Sequence, residues 1–159
     1  MVEAVEFEAE DRTIVVAMGG ARLPELVRHA IDLARVQGRT TGIPYRQVVV
    51  FHTSKTLRSE QVYEVTRDSL RPAGVQDELG RMHTELTALA PDDLTLYLAL
   101  VPNLHEGLDE LHAAMEALVV FHERNGFKAH IVMIGEHGIT AREVEQLQAR
   151  IEGSTLVSV

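Results

Sequence analysis

Apolar residues fall along this chain in two kinds of run. Short continuous runs at residues 13–18, 47–51, 94–101, 129–134 and 155–159 suit strands buried on both faces of a parallel sheet. Between them the apolar positions spread to helical spacing. Leu23, Leu26, Val27, Ala30, Ile31 and Ala34 predict a first helix that begins near Arg22, takes Pro24 in its first turn and stops at Gly38. Residues 56–90 read as helical in two pieces, broken at Pro72 and Gly74. A further helix is expected over 104–125, ending before Gly126, and a last one opens on the capping box of Thr140 and Glu143. Strand and helix alternate almost throughout. The pattern predicts one α/β domain over 1–159, with 1–11 as an acidic lead-in. Its expected form is a three-layer sandwich: a five-stranded, mostly parallel, Rossmann-like sheet of strand order 3-2-1-4-5, with helices on both faces.

Composition narrows the function classes. The net charge of −9 over 159 residues argues against DNA, long RNA or a membrane surface as partner, since phosphate attraction needs a basic face. A small phosphorylated ligand needs only local donors and stays open. The absence of cysteine removes disulfides, thiol catalysis and cysteine-ligated metal. No segment approaches the ~18 apolar residues of a membrane span, and the acidic N-terminus lacks a signal-peptide pattern, so a cytoplasmic protein without membrane insertion is expected.

Candidate chemistry lies at the strand ends. In open parallel sheets ligands bind beyond the carboxyl ends of the strands, where strand order reverses. There the chain offers Gly19, Gly20 and Ala21 after the first strand, His52, Ser54 and Lys55 after the second, and Gly135, His137 and Gly138 after the fourth. Glycine turns ahead of helices admit close backbone approach and present N–H groups to an anion. Ser54 and Lys55, with Arg58, offer phosphate donors; a hydroxyl helix cap beside a solvated lysine explains the same residues. His105, Asp109, His112 and Glu116 share one strip of the third helix, a spacing that suits a solvated face better than a metal site. The dinucleotide fingerprint, the P-loop, the nucleophile elbow and a paired-carboxylate site are all missing, so no catalytic or metal-binding residue is assigned.

The element order and the segment Ile131-Val132-Met133-Ile134-Gly135-Glu136-His137-Gly138 resemble the universal stress protein family, of the adenine nucleotide α-hydrolase-like fold. The resemblance implies a non-enzymatic, nucleotide-binding or regulatory domain, an adenine nucleotide as ligand, and a homodimer formed through the C-terminal strand. Gly135 and Gly138 match that family's glycine pair. Gly19-Gly20-Ala21 stands, without the aspartate, where its nucleotide-binding members carry an aspartate turn, and the one downstream glycine-serine candidate, Gly153-Ser154, falls at the end of the fourth helix rather than its start. The module also occurs as the cytosolic part of transporters, which makes a ligand-free interaction domain with a transporter partner one alternative. The chain is also similar to CRISPR-associated Rossmann-like domains that sense or cleave cyclic oligoadenylates. There Ser54, Lys55 and Arg58 would meet phosphates and His137 would assist ring cleavage.

Overall fold

The computed structural model describes residues 12–17, 23–54, 56–68, 77–102, 110–125, 129–135, 141–150 and 154–158. Its elements run β1 (Arg12–Ala17), α1 (Leu23–Thr41), β2 (Tyr45–Ser54), β3 (Gln61–Val65), α2 (Asp77–Leu89), β4 (Thr95–Pro102), α3 (Glu110–Asn125), β5 (Ile131–Ile134), α4 (Ala141–Arg150) and β6 (Thr155–Ser158). The sheet order is β3-β4-β2-β1-β5-β6. Every pairing is parallel except that of β3 with β4, so the sheet is mixed.

Alternation along the strands sorts two cores. Ile14 and Val16 of β1, Val48 and Val50 of β2, and Ile131 and Met133 of β5 pack with α1 and α2 on one face. Val15, Val49, Val132 and Ile134 point the other way, toward Met115, Leu118 and Phe121 of α3. Both faces are covered by helix, which is why the middle of β1, β2 and β5 is apolar on both sides.

Two expectations fail. Six strands replace five, and the order 3-2-1-4-5 gives way to one in which an antiparallel strand is added at the edge beside β4. That strand, β3, lies inside the stretch expected to be helical from residue 56. Val62 packs on the α3 face while Tyr63 and Val65 pack on the α1/α2 face, a two-residue alternation no helix can present. Helix in this region is described only from Asp77.

Helix α1 also runs past Gly38 to Thr41. The chain stops at Gly42, whose φ of 71° is the left-handed conformation that favours glycine, and its N–H donates to the Gly38 carbonyl at 3.1 Å. A Cβ on Gly38 would stand 3.7 Å from Pro44 Cα, an ordinary contact where the chain doubles back.

Polar groups pin the strand starts. The Thr13 N–H donates to His130 Nδ1 at 3.2 Å, and His130 N–H donates to the Thr13 carbonyl at 2.9 Å. Gln47 Nε2 donates to Thr13 Oγ1 at 3.2 Å, with both side chains buried. At β6, Gln148 of α4 donates to the Ser154 carbonyl and accepts from Leu156 N–H at 2.9 Å, while Ser154 Oγ donates to the Ala129 carbonyl.

Candidate functional site

The two ends of the sheet differ in character. At the carboxyl edge, strand order reverses between β1 and β5: the chain leaves β1 toward β2 on one side and reaches β5 on the other. Gly135, just past β5, donates its N–H to the Ala17 carbonyl at 3.2 Å, extending the β1–β5 pairing to the last described residue of each. The Gly135 amide is therefore committed to the sheet. Donors for a ligand must come from neighbouring groups.

Next to β1 on the other side, β2 ends in His52, Thr53 and Ser54, all partly buried and paired in register with Leu100, Val101 and Pro102 of β4. By strand alternation His52 and Ser54 share the α1/α2 face. The Ser54 hydroxyl lies 2.8 Å from Thr56 Oγ1 and accepts from Thr56 N–H at 3.2 Å, and Leu57 N–H donates to the Ser54 carbonyl at 3.4 Å. This is a local serine turn and not the expected helix cap, because the next element described after β2 is the strand β3. Arg58 is exposed.

Of the candidate residues, His52 and Ser54 thus lie at the carboxyl end of β2 and Gly135 just past the carboxyl end of β5. Gly19, Gly20, Ala21, Lys55, His137 and Gly138 lie outside the described residues, as do His105 and Asp109 from the polar strip of the third helix. His112 and Glu116 of that strip lie on α3. Among the described residues no cluster of three or more histidine, cysteine, aspartate or glutamate side chains has metal-ligand geometry. No described helix is long and apolar enough to cross a membrane.

Two histidines are perturbed by burial. Desolvation pushes His122 on α3 down to about 4 and lowers His83 on α2. Both are therefore neutral near pH 7.

The amino edge holds a feature that was not anticipated from sequence. The last turns of α1, the start of β2 and the turn before β4 enclose an open cleft of about 550 Å³, lined among others by Arg35, Arg39, Arg46, Asp93, Pro44 and Leu94. The Arg35 fork donates from Nε and Nη2 to the two Asp93 oxygens, each at 2.9 Å. This bond raises the arginine and holds the Asp93 carboxyl below its usual range. The only sequence signal was a pair of arginines one helical turn apart on α1, which reads equally well as a solvated face.

No protein-family model matches the chain, and no curated protein matches it.

Proposed function

We propose that the chain is a non-enzymatic regulatory domain of the universal-stress-protein kind. It binds an adenine nucleotide at the carboxyl edge of its sheet, between β1 and β5. One observation carries the reading: strand order reverses there, with Gly135 bonded to Ala17 across the two strands. In sequence, Gly19-Gly20 follows the one strand closely and His137-Gly138 the other. In this reading the glycines admit the ligand's backbone-level approach and His137 meets base or phosphate. His52, Ser54 and Lys55 supply the polar wall from the β2 side.

The partner is a second copy of the chain. β6 stands at the edge of the sheet with β5 as its one described neighbour, and pairing two β6 edges would cover the backbone groups that an edge strand presents. Light scattering on the purified protein tests this directly; a monomer at high concentration refutes it.

Ligand binding is tested by thermal unfolding against ATP, AMP, cyclic dinucleotides and cyclic oligoadenylates. A ligand at about 100 times its Kd adds about 2.7 kcal/mol to stability. For a domain of this size that raises Tm by about 5–11 °C. The shift should appear with an adenine nucleotide and vanish in Gly138→Val while the unliganded Tm is unchanged. A flat panel on folded protein refutes the reading. A shift with cyclic oligoadenylates alone, accompanied by turnover that His137→Ala abolishes, replaces it with the ring-nuclease alternative.

A further inference from the structure

The cleft at the amino edge carries more positive charge than its surroundings neutralise. Arg35 is met by two carboxylates, Asp93 through the two-pronged bond and Asp32 at 3.8 Å, so Arg39 and Arg46 leave the cleft about one positive charge in excess. Arg39 and Arg46 also line the cleft, both are exposed, and neither forms an ion pair among the described residues. Arg39 lies in the last turn of α1 and more than offsets the roughly half-unit negative pole of that helix end. Arg46 is presented by a local irregularity. Arg12 pairs with Tyr45 and Thr13 with Gln47, so Arg46 is the extra residue of a bulge between β1 and β2. Bulges of this kind re-aim a side chain. A chain with a net charge of −9 therefore keeps a concave cationic surface at one end of its sheet.

The sequence supplies a complementary charge a few residues away. Residues 1–11 contain Glu3, Glu6, Glu8, Glu10 and Asp11 and no lysine or arginine. Glu6, Glu8 and Glu10 alternate with Val5, Phe7 and Ala9, so an extended segment would show carboxylates on one face and apolar groups on the other. Chain connectivity tethers this stretch to β1 at Arg12. It leads directly into Arg12, whose guanidinium lies 5.8 Å from the centroid of the Tyr45 ring, and Tyr45 belongs to the cleft wall. Glu10 and Glu8 stand two and four residues before Arg12, a reach of about 7 and 14 Å of extended chain.

We propose that this cleft is the docking site of the chain's own acidic stretch, residues 3–11. The segment binds extended, its alternate carboxylates against Arg39 and Arg46 and Phe7 against Pro44 and Leu94. Tethering supplies an effective concentration in the millimolar range, so occupancy needs no better than about millimolar intrinsic affinity.

The cysteine-free sequence permits a clean test on the whole chain. A nitroxide is attached at Ala4→Cys, which keeps every carboxylate and Phe7. Ala4 lies eight residues before Arg12, up to about 28 Å of extended chain, so the tether alone does not hold the label at the cleft. The expected result is selective loss of the amide NMR signals of Arg39, Gly42 and Leu94. Those signals should return in the Arg39→Glu/Arg46→Glu variant. They should also return in about 1 M salt, where the screening length falls to about 3 Å. The salt arm does not depend on the variant folding. A second sample mixes spin-labelled protein without nitrogen-15 and nitrogen-15 protein without label, and no loss is expected there. Absent or uniform broadening, or broadening that persists at high salt, overturns the proposal. Loss in the mixed sample also overturns it, because a second copy is then the occupant.

Discussion

Replacing Phe121 by alanine should cost about 4 kcal/mol of stability. The side chain is 1% exposed on α3 and meets Phe51 of β2 edge to face, with ring centroids 5.6 Å apart and planes at 63°. Removing a fully buried phenyl ring forfeits its transfer free energy and leaves a cavity, together about 3–5 kcal/mol. About 1 kcal/mol of that belongs to the ring pair itself. At roughly 2–4 °C per kcal/mol for a domain of this size, Tm should fall by about 8–16 °C. Urea unfolding followed by far-ultraviolet circular dichroism measures the loss without relying on tryptophan, which the chain lacks. A double-mutant cycle with Phe51→Leu and Phe121→Leu keeps most of the volume and isolates the pair, with a coupling of about 1 kcal/mol expected. A loss below about 1.5 kcal/mol for Phe121→Ala would refute the reasoning. So would zero coupling in the cycle. Either would mean that α3 does not pack on β2, and the sorting of strand residues between two helical layers would fail with it.

Three further outcomes follow from single contacts. Gly42→Ala should destabilise by about 1–2 kcal/mol, because the left-handed φ of 71° is the whole penalty where an added Cβ meets nothing within 4 Å; Gly42→Asn should cost less in the same thermal melt. His122 and His83 have folded-state pKa values pushed down by burial, so the unfolded chain binds their protons more readily. Stability should be full above about pH 6.5 and fall as pH drops toward 4, and a urea midpoint that stays flat over that window would contradict the assigned burial. Gln148→Ala should cost about 1–3 kcal/mol by leaving the Ser154 carbonyl and Leu156 N–H without their clamp, and hydrogen exchange at Leu156 should accelerate.

The parallel strands were legible because each is a continuous apolar run too short for a helix, and α1 because its buried residues keep helical spacing. β3 was not legible for two reasons. Gln61 to Val65 holds only three apolar residues, and their alternation is hidden among polar neighbours that also suit a helix. Gly38 looked like a helix stop because composition cannot say which of two nearby glycines takes positive φ; the fold assigns that role to Gly42. At the carboxyl edge, sequence put His52 and Ser54 just after the second strand, whereas β2 runs on through Ser54; Gly135 does follow β5. The Ser54–Thr56 turn was read instead as a helix cap, because a hydroxyl that bonds the next backbone N–H serves either use until the following element is known. The arginine cleft was not legible, because Arg39, Arg46 and Asp93 converge only after α1, β2 and the approach to β4 have packed together.

The apolar strands raise a problem of register that their own pattern cannot solve. Where one face of a strand is polar, a one-residue slip exposes the whole apolar set and is strongly disfavoured. In β1, Ile14 and Val16 serve one core and Val15 the other, so a slip merely exchanges one buried aliphatic face for another. Discrimination must then come from groups that tolerate only one partner. Thr13, Gln47 and His130 are such groups. Each stands at or near the start of its strand, and the bonds among them fix β1 against both β2 and β5. A slip of one residue would leave buried donors and acceptors unmatched, at about 1–3 kcal/mol for each. Gln148 and Ser154 act in the same way on β6, tying it to α4 and to Ala129 before β5. Register is thus set from the amino edge by a small buried polar network. The side chains that end the strands at the carboxyl edge are released from that task, which leaves them open to selection for a ligand.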